Sequence, residues 1–232
     1  MINPQTPSQV GTGARPAPEQ SASLLSQSFG WMFAGLLLTA AIAYFVWGNA
    51  QIKNTVGDMW FLIFFGQLGL AIGIQGLIGR ISATVALGLF FVFAATMGFT
   101  VGVIISFYSV PSVVSSFFGA SAMFGAAALY GYTTKRSLTG LGGFLFMGVI
   151  GLIVASIVNV FLDNSVIGWV IALIGVIIFT VITAYDVQRI KYGDYITATG
   201  SIEKASVLGA LHLYINFVNI FLFLLRLFGS RD

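Results

Sequence analysis

Seven stretches of this chain are long, apolar and almost free of charge, and that pattern leaves few folds open. They run over residues 29–47, 59–79, 82–108, 111–132, 141–162, 166–187 and 204–228. Each comes near the ~20 residues that a helix needs to cross ~30 Å of hydrocarbon. Strands fit poorly: the runs are too long, and they lack the alternation of an outer-membrane barrel. Composition agrees, with 58% hydrophobic and 7% charged residues, where a soluble domain carries about 25% charged. Such a chain cannot clothe a surface facing water, so its main partner is the lipid bilayer. The expected fold class is an all-α membrane protein with seven transmembrane helices.

Residues 1–28 are a different material. They hold four of the five prolines and are rich in Ser, Gln and Gly, which predicts a flexible solvated tail ahead of a transmembrane domain over 29–229. A cleaved signal peptide fits less well, although Ala41–Ala43 resembles a cleavage site. The tail has no basic n-region, and the apolar run continues to Trp47. The ten Lys and Arg form no stripe that could follow a phosphate backbone, so nucleic acid is not an expected partner. Cysteine is absent, which excludes thiol catalysis and Cys-ligated metals.

The connections carry turn chemistry and the charges that set orientation. Arg15, Arg80, Lys135, Arg136, Arg189, Lys191 and Lys204 fall on one side, and Lys53, Arg226 and Arg231 on the other. Seven against three predicts a cytoplasmic N-terminus and a C-terminus outside. Small residues recur at helical spacing in Gly69/Gly73 and Gly98/Gly102. Such spacing lets two backbones approach in lipid, or simply reflects how common glycine is in membrane helices.

A few polar groups interrupt the runs. Asp186 closes the sixth, in "TAYDVQRIK", about a turn deeper than Arg189 and Lys191. It either ends the span and pairs with Arg189 three residues on, or marks a pathway, and the residues alone weigh these about evenly. In the last run His212, Asn219 and Arg226 follow at intervals of seven, with Asn216 four residues after His212. All four fall on one helical stripe that must face the bundle or water within it. Interhelical glue is the plainer role for Asn219. His212, the chain's sole histidine, is the group that changes charge near neutrality. No catalytic motif emerges: there is no HExxH, no GxSxG and no P-loop, so an enzyme is not expected, nor is a bound cofactor.

"LYGYTTKRSLTGLGGFLFMGVIGLIVASIVNVFL", the "AYD" of the sixth span and "LGALHLYINFVNIFLFLLRLFG" together resemble the bacterial branch of the Bax inhibitor-1 family, from about Phe29 to Gly229. The resemblance implies six spans around a central C-terminal helix in a bacterial inner membrane. It also implies a pH-sensitive calcium leak governed by two aspartates near the cytoplasmic mouth. Family members are described, alternatively, as regulators of cell death or of membrane-protein quality control, whose partners would be other membrane proteins such as a membrane protease. Asp186 falls on the first aspartate, as a weak and transient calcium contact. The second falls on Asn216, because this chain reads "LYINFVN" where the family pattern has "LYLDFIN". That exchange removes the like-charge term of a carboxylate pair, and His212 is the residue placed to replace it. A basic latch after the second span falls by position on Arg80. Calcium, the expected permeant ion, takes six to eight oxygens, which Asp186, Asn216 and Asn219 supply only in part.

Overall fold

The structure, a computed structural model, describes residues 17–230 and contains helices alone as regular secondary structure. Nine α-helices are present among these residues: α1 (Pro18–Trp47), α2 (Ala50–Asp58), α3 (Trp60–Leu77), α4 (Ala83–Ile105), α5 (Val110–Thr133), α6 (Gly142–Leu162), α7 (Ser165–Tyr192), α8 (Asp194–Thr199) and α9 (Ile202–Phe228). Seven of them, all but α2 and α8, are long and apolar enough to cross a membrane. Their outward faces carry Phe33, Phe65, Phe144 and Phe161, a surface suited to hydrocarbon.

The caps explain several boundaries. Between α6 and α7, Asp163 adopts the left-handed conformation and Asn164 accepts hydrogen bonds from the Val166 and Ile167 amides. Ser82 and Ser201 cap α4 and α9 in the same manner. One expectation shifts. The tail was expected to reach residue 28, but α1 begins at Pro18, and Leu24 and Ser28 are fully buried. Proline is tolerated at a first helical position, where its missing N–H costs nothing. Residues 1–16 of the tail, like Arg231, lie outside the described residues. The connection "WGNAQIKNTVGD" between the first two spans holds α2, a short amphipathic helix capped by Asn49 and flanked by Trp47 and Trp60, side chains typical of a membrane–water interface.

Helix α9 is the centre. It packs against α1, α3, α4, α5 and α7 among the spans, and against α8, while α6 packs on α7. Leu211, Leu213, Tyr214, Ile220 and Leu225 on α9 are fully buried. The Tyr214 hydroxyl meets Thr39 Oγ1 of α1 at 2.6 Å, and Thr39 donates on to the Ala94 carbonyl of α4 at 2.8 Å. One chain of polar contacts thus ties three helices where lipid supplies no hydrophobic drive between them. Outside the bundle core, Gln188 of α7 accepts from the Leu138 amide at 2.7 Å and donates to the Arg136 carbonyl at 2.8 Å, fixing the α5–α6 connection.

The two glycine pairs separate cleanly. Gly98 and Gly102 lie buried against α1: a Cβ at Gly102 would sit 2.9 Å from the Ala43 carbonyl oxygen, and one at Gly98 would sit 3.0 Å from that of Thr39. Gly69 and Gly73 meet nothing within 4 Å, so the same spacing there joins no helices. The tightest approach to another helix's backbone is elsewhere, at Gly131 of α5, where a Cβ would lie 2.8 Å from the Ala184 Cα of α7 and collide with its carbonyl. Gly131→Ala is therefore expected to destabilise the bundle by about 1–3 kcal/mol, the usual range for overpacking. Gly69→Ala should change stability by no more than ~1 kcal/mol. Thermal unfolding of both variants in the same detergent checks the contrast.

Candidate functional site

Asp186 is 2% exposed and lies where α7, α8 and α9 converge. Both carboxylate oxygens are met. The Asn216 amide of α9 donates to Oδ2 at 2.8 Å, and the Tyr195 hydroxyl of α8 donates to Oδ1 at 2.9 Å. His212 Nδ1 stands 3.2 Å from the same hydroxyl and 3.6 Å from Oδ1. The other ring nitrogen, Nε2, lies 3.2 Å from Gln75 Oε1 on α3. A continuous polar chain therefore runs from Asn216 through Asp186, Tyr195 and His212 to Gln75, joining four helices.

Local sequence explains why Tyr195 is there. Gly193 and Gly200 both take positive φ, 77° and 75°, which ends α7 and closes α8 into a compact cap. Gly193 donates back to the Arg189 and Ile190 carbonyls, so α8 starts directly beneath the end of α7. Tyr195, 2% exposed, then points at the carboxylate nine residues behind it. Burial first, and then the Asp186 charge beside it, hold the Tyr195 phenol well above its ordinary range. It stays a protonated donor throughout the physiological range.

Arg189 does not pair with Asp186, as the three-residue spacing had suggested. It donates instead to Asp194 at 3.4 Å, and its guanidinium lies 4.7 Å from the Tyr195 ring centroid. Helix α8 brings Asp194 within reach and so draws the cation away from the carboxylate. A cleft of about 310 Å³ opens onto the cluster, lined among others by Gln75, Tyr185, Asp186, Arg189, His212 and Asn216.

The expected polar stripe of α9 divides. His212 and Asn216 join Asp186, as described. Asn219 donates to the Ile215 carbonyl of its own helix at 2.8 Å and lines a second cavity. Arg226 sits at the far end of α9, against Gly168, and has no part in the cluster. Arg80 is exposed in the turn after α3, and its side chain makes no ion pair or hydrogen bond among the described residues. Lys204 reaches that turn instead, donating to the Gly79 carbonyl at 3.3 Å. Two members of the cluster were missed in the sequence. Gln75 left a signal, an amide inside an apolar run; Tyr195, in a segment without apolar periodicity, left none.

Comparison with known proteins adds the family. Residues 21–232 match the family described as inhibitor of apoptosis-promoting Bax1. The chain is 43% identical over 213 residues to the inner membrane protein YbhL of Escherichia coli K12, covering 89% of this chain and 91% of that one. It is 35% identical over 225 residues to an uncharacterized protein of Deinococcus radiodurans, covering 97% of each. A third relative, from Borreliella burgdorferi, is 38% identical over 214 residues, covering 89% and 91%. Matched from the second turn of α1 onward and similar to relatives along most of their length, the chain belongs to the Bax inhibitor-1 family.

Proposed function

We propose that this protein is a passive cation leak, for calcium above all, in a bacterial inner membrane, and that the Asp186 cluster sets its response to pH. The observation behind this reading is the buried carboxylate at the head of an open cleft. An ionised group at such depth is costly, and pathways are where membrane proteins keep them. Its two fixed donors leave acceptor capacity on each oxygen for a partly hydrated ion. One carboxylate with a few amide and carbonyl oxygens suits passage rather than storage. The relative's printed description as an inner membrane protein supports the location. The balance of Lys and Arg supports an Asp186 end facing the cytoplasm, with the C-terminus outside. The role is not enzymatic, and it uses no cofactor.

Hydrogen-bond bookkeeping gives the pH response a sign. The single proton of Tyr195 goes to Asp186, so toward His212 the hydroxyl oxygen can only accept. Gln75 Nε2 donates to the Ala71 carbonyl at 3.1 Å, so Oε1 is what Gln75 offers the ring. Both neighbours therefore ask His212 for a proton, and a neutral imidazole donates from one nitrogen only. The protonated ring satisfies both, offsets the Asp186 charge and fastens α3 to α9. The other charged or titratable groups lining the cleft are Arg189, held by Asp194, and Tyr185. Acidification should thus close the pathway.

A second reading has its own support. With donors on both carboxylate oxygens the cluster is already self-satisfied, as the hub of a non-conducting regulator of other membrane proteins would be. Purified protein in liposomes separates the two. Calcium entry is expected to be lower at about pH 6 than at about pH 8. Asp186→Asn should abolish entry at both values, and His212→Ala should flatten the response. Asn216→Asp should create a response of its own, because two adjacent carboxylates share a proton. Absence of entry from wild type and every variant, with folding confirmed, overturns the leak. Co-purification with a membrane protease that survives Asp186→Asn then supports the regulator.

A further inference from the structure

Two cavities line up along the groove that α3 and α6 flank and that α7 and α9 floor. The first, of about 310 Å³, holds the charged and titratable groups already described. The second, of about 410 Å³, contains no charged side chain and offers Gln67, Ser156 and Asn219. Gln67 donates to Thr100 Oγ1 at 2.8 Å and Asn219 to its own helix, and the side-chain carbonyl of each takes no donor among the described residues. Both chambers therefore present oxygen to a cation. The three residues that line both are Val149 of α6, Phe179 of α7 and Ile215 of α9, and none has a side-chain oxygen. Phe179 is 8% exposed and is held by the Phe223 ring at a centroid distance of 6.0 Å.

We infer that Val149, Phe179 and Ile215 form an apolar collar that separates the two chambers and limits passage between them. An ion leaving Asp186 would have to shed water without gaining a ligand before it reached Gln67 and Asn219. Constrictions of this chemistry gate by expelling water. This deepens the leak reading and rests on it: Asp186 and His212 govern how the ion is received, and the collar governs how fast it crosses.

The absence of cysteine allows a test that does not depend on calcium. Ser156→Cys puts the sole thiol in the second chamber, and Lys135→Cys, in the exposed connection near Gln188, reports which vesicle face lies at the Asp186 end. A charged, membrane-impermeant thiol reagent is added to that face. Modification of Ser156→Cys is expected to be slow and to quicken roughly tenfold when combined with Phe179→Ala, the change given by a barrier lowered by ~1.4 kcal/mol. Val149→Ser, at a half-buried position, serves as the second collar variant should Phe179→Ala fail to fold. Calcium entry should rise in parallel and still vanish with Asp186→Asn. Unchanged modification in folded collar variants overturns the collar, even where wild type leaks calcium through Asp186. Faster modification with no calcium entry upholds the collar and overturns the leak.

Discussion

A carboxylate inside a bundle surrounded by hydrocarbon has to be met by donors, and much of this structure follows from meeting Asp186. Its partners come from three directions: Asn216 and His212 from the central helix, Tyr195 from the short cap after α7, and Gln75 at one remove from α3. Each partner needs its own piece of architecture. Helix α9 must be buried along its length, α8 must fold back beneath α7, and α3 must lie close enough for one amide to reach an imidazole. The family's expected second carboxylate would have brought a repulsive charge to this place. Here an amide donates instead, so Asp186 is held by hydrogen bonds rather than by a proton shared with a twin.

The wider fold distributes tasks by helix. Close backbone contact is concentrated where α1 meets α4 at Gly98 and Gly102, and where α5 meets α7 at Gly131. These contacts hold one side of the bundle with van der Waals packing. Between α3 and α6, which stand apart, lie both chambers and the apolar collar. Close backbone contact and access thus belong to different helix pairs, and a buried site can face a cleft without loosening the core.

Much of this was legible in the chain. Run length and missing charge specify seven spans, and the stripe on the last span marks the helix that must turn inward. The pairing of Asp186 with Asn216 came from motif resemblance, thirty residues apart in the chain, which periodicity does not reach. Other features were hidden for physical reasons. Gly69/Gly73 and Gly98/Gly102 have the same spacing, and only a partner helix, which the spacing does not specify, distinguishes them. Helical geometry favours a pair of Asp186 with Arg189, which was one of the two roles the residues alone left open. The alternative carboxylate, Asp194, is placed by a left-handed glycine whose effect is three-dimensional. Tyr195 was missed because a six-residue helix between two glycines has too little length for any pattern to declare which side is inside.

The order of these residues along the chain has a consequence for how the protein is made. Asp186 leaves the ribosome before Tyr195, His212 and Asn216, so α7 enters the membrane with a carboxylate whose partners do not yet exist. Near a span's end its cost falls below the ~2.5–3.5 kcal/mol of a charge at the centre, and the group can wait at the headgroups. The last helix then brings Asn216, whose amide donates to Oδ2. A chain ending before His212 would lack Asn216 as well, and with it the donor to one oxygen of the carboxylate.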